Sequence, residues 1–521
     1  MSITGMRTTF RKSMRLIFIL LTAALAVGMI AYFGSGPGGR GPTQQRENPL
    51  IATVGETQLT EREFYAAVDE QMKALGIEQV SDRLTALQAA GMRQAVFAEL
   101  VTLAELAEEA RVEGFSVGKR DLRREKEKAI DDAIARERAQ AAGRNNEPIS
   151  MADYERILRQ RGQTLKDKRA EIASTIDDDL MRKRLLATKL RDKVEAPVKA
   201  SAKDVEAYYA KVKVRHILVS TDKVPEAQAK TRAEKILAEA KAGKDFAELA
   251  KEFSDEPGAD KTGGDLGEVT RDSGLVPEFK RAALALNKGE ISGLVKTDFG
   301  YHIIQCYART VEYPKDFEKK KKTYTTEVRD ALAQDKWVEY AGKVTAKADK
   351  NLKIPKDEFA GYWDLNKALS ARTAEERDKK VEAAIGHLEK ALATSESDAV
   401  LMCTLALSYQ QVGKKEQAAT MFARALENTE SADIEIQVAG LYEELGEKEK
   451  AIGAYDMASQ VSYNNPDLLE SLAVKLEALG RPDLAERNRK DAATWRKYEA
   501  EQGGATGGAS PGGSPPPGGG D

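Results

Sequence analysis

Residues 213–220 read KVRHILVS, and residues 300–307 read GYHIIQCY. Both stretches are short, apolar and rich in β-branched side chains, the pattern of buried strands. Between them the spacing predicts an amphipathic helix from Glu226 to Ala242 that ends at Gly243, and a shorter one from Phe246 to Phe253. A third helix is expected from Pro277 to Leu286, because proline is well tolerated in a first helical turn. Asp255 to Gly267 contains Pro257, Gly258, Gly263, Gly264 and Gly267, which is loop chemistry. SGLVKT (292–297) reads as a strand joined to GYHIIQCY across Asp298-Phe299-Gly300. Residues 211–310 therefore read as one small α/β unit.

The flanks have a different character. Ile51 to Val54 reads as a short extended start, and Thr60 stands three residues before Glu63, the spacing of a helix capping box. From there the chain is rich in Ala, Leu, Glu, Lys and Arg. Leu84, Leu87, Ala90, Phe97, Leu100, Leu103 and Leu106 recur at helical spacing. Residues 50–210 are expected to be a helical domain. The run KRDLRREKEK (119–128) mixes both charge signs and reads as a solvated helix face. After the α/β unit, residues 311–355 read as one long charged helix, with Asp316 as N-cap, Phe317 near its start and Leu352 near its end.

Residues 356–498 are periodic. Ala384, Ala418, Ala451 and Ala485 recur at steps of 34, 33 and 34, and Ala391, Ala425, Ala458 and Ala492 follow each by seven. Gly413, Gly446 and Gly480 keep the same period. A period of 34 with these offsets matches tetratricopeptide repeats, paired helices stacked into a solenoid. Three repeats are clear, and a fourth is visible only as its second helix, 381–392. Residues 499–521, rich in Gly and Pro, are expected to be a disordered tail.

The other end suggests a compartment. Arg7, Arg11, Lys12 and Arg15 precede Leu16 to Phe33, 18 residues without a charge. At ~1.5 Å per residue that is ~27 Å of helix, close to a bilayer's hydrocarbon thickness. Two readings are open, a retained anchor over residues 1–33 and a cleaved signal peptide. The anchor reading places a cytoplasmic tip before a single span in a bacterial inner membrane, residues 34–49 as a flexible linker, and the bulk of the chain in the periplasm or cell envelope. Composition narrows the function. Over 521 residues, 81 Lys plus Arg against 84 Asp plus Glu give a net charge of −3, so no whole-chain field recruits nucleic acid. Two cysteines, Cys306 and Cys403, and three histidines exclude a disulfide framework and most metal sites; no metal and no cofactor is expected. The expected fold class is multidomain and mainly α: transmembrane helix, helical domain, α/β unit and helical solenoid.

The α/β unit resembles the parvulin (PpiC) family of peptidyl-prolyl cis/trans isomerases over nearly all of 212–308. The resemblance rests on His216-Ile217-Leu218-Val219, Phe253-Ser254, Gly263-Gly264-Asp265-Leu266-Gly267, Leu275-Val276-Pro277-Glu278-Phe279 and Phe299-Gly300-Tyr301-His302-Ile303-Ile304, in that order. IATVGETQLTEREF (51–64) resembles the start of the helical domain of SurA-like and PpiD-like envelope chaperones. In those, a final helix after the parvulin unit packs back on the first domain, a role 311–355 could fill.

The resemblance implies roles. His216 and His302 match the central histidine pair, and Thr297 the hydroxyl beside it. Leu266, Leu275 and Phe279 match the positions of the proline pocket. Glu256 stands where the family usually has Cys or Asp, a departure that bears on turnover and not on the fold. Bland readings stay open beside these. The histidines could chiefly hold the sheet together, Phe279 could be ordinary core, Glu256 a plain loop acid, and Cys306 packing. The implied function is an isomerase and folding chaperone for X-Pro bonds of unfolded exported proteins, with a possible protein partner on the repeats. The alternatives are a non-catalytic chaperone with an inactive parvulin unit, and an interaction scaffold built on the repeats.

Overall fold

The computed structural model describes residues 48–74, 85–141, 147–222, 224–371, 373–427 and 429–503. The expected anchor (1–33), nearly all of the linker (34–49) and the tail beyond residue 503 lie outside them. Among the described residues no helix is long and apolar enough to cross a membrane.

The first element is a hairpin, β1 (Leu50–Val54) and β2 (Thr57–Thr60), turning at Gly55, whose φ of +58° favours glycine. Thr60 then caps α1 (Glu61–Ala74): its amide donates to Glu63 Oε2 at 2.9 Å. The long α2 (Ala86–Val112) follows, with α3 (Lys119–Gln140), α4 (Met151–Gln160), α5 (Leu165–Thr175), α6 (Asp178–Glu195) and α7 (Ala202–Tyr208) after it.

The α/β unit is one antiparallel sheet in the order β4-β3-β6-β5: β3 (Ala210–Ser220), β4 (Asp265–Val269), β5 (Val295–Thr297) and β6 (Gly300–Val311). Alternation along the strands separates two faces. Ile217, Val219, Tyr301 and Ile303 pack against α8 (Glu226–Lys241) and α9 (Phe246–Phe253). Val212, Val214, Ile304 and Cys306 pack on the other side, against Phe279 and Ala283. The expected loop 255–267 contains a single turn, α10 (Ala259–Thr262), and the start of β4. The two latter residues, Phe279 and Ala283, belong to α11 (Pro277–Ala285).

Beyond the sheet, α12 (Lys321–Ala348) starts later than the sequence suggests. Asp316 is not its cap; it accepts from the Tyr324 hydroxyl at 2.6 Å, while Phe317 is buried among Tyr209, Tyr313 and Tyr324. That aromatic cluster, rather than a helical turn, uses the segment. Val344, Trp337 and Tyr340 of α12 pack with Leu106 and Ala110 of α2 and Leu190 of α6. A short strand, β7 (Leu352–Lys353), pairs with β1.

The rest is four helix pairs: α13 (Asp357–Leu369) with α14 (Ala374–Thr394), α15 (Ala399–Gln411) with α16 (Lys415–Leu426), α17 (Ala432–Glu444) with α18 (Lys448–Val461), and α19 (Pro466–Ala478) with α20 (Pro482–Gly503). The last helix therefore runs past residue 499, where the tail was expected to begin. Ala418, Ala425, Ala451, Ala458, Ala485 and Ala492 are buried where the helices approach. The first pair joins the N-terminal helices. Phe359 of α13 sits between Phe64 and Phe97, its ring centroid 4.9 Å from each, and α2 lies against both α13 and α15. One continuous apolar core results.

Candidate active site

The strands place two histidines diagonally. His216 on β3 faces Ile304, and His302 on β6 faces Leu218, so the two rings are neighbours across one face of the sheet. Their planes are 12° apart, and Nδ1 of one lies 3.4 Å from Nδ1 of the other. Thr297, at the end of β5, puts Oγ1 2.8 Å from His302 Nε2 and accepts from the Phe299 amide at 3.1 Å. Phe279 stands edge-on to both rings, with centroids 5.4 Å from His216 and 5.3 Å from His302.

Glycine permits this closeness. Gly264 has a φ of +73°, and a Cβ there would run into the carbonyl oxygen of His216. Its own carbonyl accepts from the His216 amide at 2.9 Å. The Gly263-Gly264 pair thus lets the loop pass flush against the histidine strand.

Burial decides the charge of the pair. It pushes His216 down to about 4, and it pushes His302 down to about 4 with a smaller push from His216. Both rings are neutral at neutral pH, so each has one donor and one acceptor nitrogen. We assign the polarity Thr297 Oγ1–H to His302 Nε2, then His302 Nδ1–H to His216 Nδ1. His216 Nε2 is then an N–H. It is buried without a hydrogen-bond partner among the described residues, 4.0 Å from Glu256 Oε2. The reverse polarity would set a lone pair against the carboxylate.

Of the residues singled out in the sequence, His216, Thr297, His302, Phe279 and Glu256 come together. Leu275 joins the apolar cluster around Phe279, whereas Leu266, on β4 and 37% exposed, does not. Phe279 is 2% exposed, because α11 lays it on Val212, Val214 and Ile304. Two further residues, one of them the Ser254 of the Phe253-Ser254 motif, were given no role by the sequence reading. Ser254 Oγ accepts from the amides of Leu218, at 3.1 Å, and Glu256, at 3.3 Å. Asp255 donates its amide to the Leu218 carbonyl at 2.7 Å and accepts from the Ser220 amide at 3.0 Å. They dock the Glu256 loop on β3. Their position directly before Glu256 was the available signal.

Residues 198–310 match the profile described as PPIC-type PPIASE domain, and residues 6–186 match the SurA-like N-terminal domain. Residues 198–310 are a PPIC-type PPIase domain. Peptidyl-prolyl cis/trans isomerase is the enzyme class these matches support for that domain. The foldase protein PrsA of Caldanaerobacter subterraneus is 33% identical over 214 residues, 40% of this chain and 63% of that one. The chaperone SurA of Photorhabdus laumondii is 43% identical over 115 residues, 22% of this chain and 26% of that one. Among solved structures, the parvulin of Nitrosopumilus maritimus is 39% identical over 19% of this chain and 96% of its own, with a TM-score of 0.16. The first eight curated relatives are each matched over 26% to 63% of their length.

Proposed function

We propose that this chain is an envelope peptidyl-prolyl cis/trans isomerase and folding chaperone that acts on X-Pro bonds of unfolded exported proteins. The observation that carries this reading is the neutral Thr297–His302–His216 chain closed by Phe279, inside the PPIase domain. An X-Pro bond faces a barrier of roughly 20 kcal/mol because its amide is conjugated. Lowering it requires preferential binding of the twisted amide and no covalent step. Phe279 and Leu275 offer the proline ring an apolar seat, and the His216 Nε2–H with Glu256 supplies polar groups at its edge.

In this reading residues 1–33 hold the chain in a bacterial inner membrane with the tip in the cytoplasm, and residues 34–49 tether it. Residues 50–210 and the returning 311–355 form the client-binding helical domain around the isomerase (211–310). Residues 356–498 are tetratricopeptide-like repeats and 499–521 a tail. The relatives' names, foldase and chaperone, support unfolded proteins as clients. The test is isomerisation of a proline peptide by the purified full chain. A rate no higher than the uncatalysed one sinks the enzymatic part.

Glu256 favours one alternative, a chaperone whose PPIase domain grips without turning over. Its carboxylate is set one methylene further out than an Asp would be. Protection of an unfolded client from aggregation, together with no catalysed isomerisation, would select that alternative.

A further inference from the structure

We propose that Arg232 is a positioning residue for this site, holding Glu256 in place from the opposite side of the sheet. The inference rests on the isomerase reading of the histidine pair. Arg232 is on α8, the helix that covers the face of the sheet away from Phe279. Its guanidinium donates to the Phe253 carbonyl at 2.6 Å and to Asp255 Oδ2 at 3.2 Å.

These two acceptors are what the Glu256 loop hangs from. Phe253 ends α9, so its carbonyl is one of those a helix C-terminus leaves without an intrahelical partner. The same Asp255 oxygen accepts the Ser220 amide, which pins the loop to the end of β3. Glu256 comes next, tied to Ser254 Oγ through its amide and set 4.0 Å from His216 Nε2. Arg232 thus closes a path from α8 through Asp255 to the only polar atom of the histidine pair without a hydrogen bond among the described residues.

Only arginine fits the task. One planar fork reaches a carbonyl and a carboxylate at once, and a lysine ammonium on a flexible stem would serve one of them. With the fork gone, the loop keeps its backbone bonds to β3 but loses the tie that fixes the turn out of α9. Displacements near 1 Å at a reacting group cost large factors in rate, so a loss of about tenfold in kcat is expected, with KM changed by less than about twofold.

The experiment uses the full chain as wild type, Arg232→Ala, Arg232→Lys, Glu256→Gln and the Arg232→Ala/Glu256→Gln double variant. Steady-state kinetics on a proline peptide are combined with melting curves and with the ring signals of 15N-labelled histidine, of which the chain has three. The expected results are a kcat loss with a folded protein, a shifted His216 ring signal in both Arg232 variants, and a double variant no slower than Glu256→Gln alone. Unchanged kcat, or losses that multiply in the double variant, would overturn the assignment. If Arg232→Ala does not fold, Arg232→Lys carries the comparison. If the wild type shows no turnover, the isomerase reading fails, and the His216 signal decides the positioning role alone: unmoved, it refutes it.

Discussion

The hydroxyl of Thr297 lies 2.8 Å from His302 Nε2, both groups buried in the sheet. It is the first link of the chain that ends at His216 Nε2, and as a hydroxyl it can serve the ring nitrogen as donor while accepting from the Phe299 amide. Thr297→Val keeps the shape and removes the link, leaving a buried ring nitrogen unmet at a cost of about 1–3 kcal/mol. The domain is expected to melt earlier and turn over more slowly, and Thr297→Ser should restore most of both. A valine variant with wild-type melting and rate would show that the link is idle.

The buried histidines set the acid limit. An exposed histidine binds its proton near 6.5, and both of these are pushed down to about 4. Between those values the unfolded chain holds more protons than the folded one. Stability therefore falls as pH drops from about 6.5 toward 4 and is fully present above 6.5, each ring contributing on the order of 3 kcal/mol at most. Denaturant midpoints of the wild type and of His302→Asn, followed from pH 8 to pH 4, check this. A wild-type curve as flat as the variant's across that range would contradict it. Turnover should be level from pH 6 to 9, because the pair is neutral throughout.

Phe279→Ala is expected to damage fold and function together. Its ring is 2% exposed and touches both histidines and the β3–β6 core, so truncation should cost about 3–5 kcal/mol. Phe279→Leu keeps most of the volume and separates the effects. The prediction is near-normal melting with much reduced turnover, and a leucine variant at full rate would remove the ring from the proline seat.

Much of the α/β unit was legible because Gly and Pro punctuate it and its strands are short apolar runs rich in β-branched residues. Pro277 and Gly300 open the elements they were expected to open, and Gly243 stands two residues past the end of α8. What escaped the sequence depends on contacts far along the chain. Phe317 joins an aromatic cluster instead of opening a helix. The first helix of the first pair, α13, lacks the repeat signature because Phe359 and Tyr362 face the N-terminal helices, not a preceding pair. The site shows the same division. Its histidines and threonine could be named from motifs, while the burial of Phe279 and the bonds of Ser254 and Asp255 belong to packing.

Arg93 tests how the helix pairs are fastened. From α2 it reaches Asp398, the cap of α15, at 3.2 Å and Glu358 of α13 at 3.8 Å. Burial pushes the Glu358 carboxyl up, so losing its cation leaves an ill-solvated acid. Breaking such a partly buried group of charges should cost up to about 3 kcal/mol. Arg93→Ala is expected to speed amide exchange in α2, α13 and α15 while leaving the sheet's exchange unchanged. Equal acceleration everywhere would mean global destabilisation and no local fastening.

The domain should not require phosphorylated substrates. A phosphate before proline is held by several Arg or Lys donors, often bidentate. The segment after β3 runs from Ser220 to Glu226 with Asp222, Glu226 and a single Lys223, which lies outside the described residues. Lys296, which reaches that segment from β5, is already paired with Glu226, which also accepts from the Tyr301 hydroxyl at 3.1 Å. That pairing holds the Glu226 carboxyl below its usual range, so it stays charged and repels a dianion. Peptides differing only in Ser, phospho-Ser, Leu or Glu before proline should therefore rank with Leu and Ser ahead of the two anions. A higher kcat/KM for phospho-Ser than for Ser would overturn this expectation.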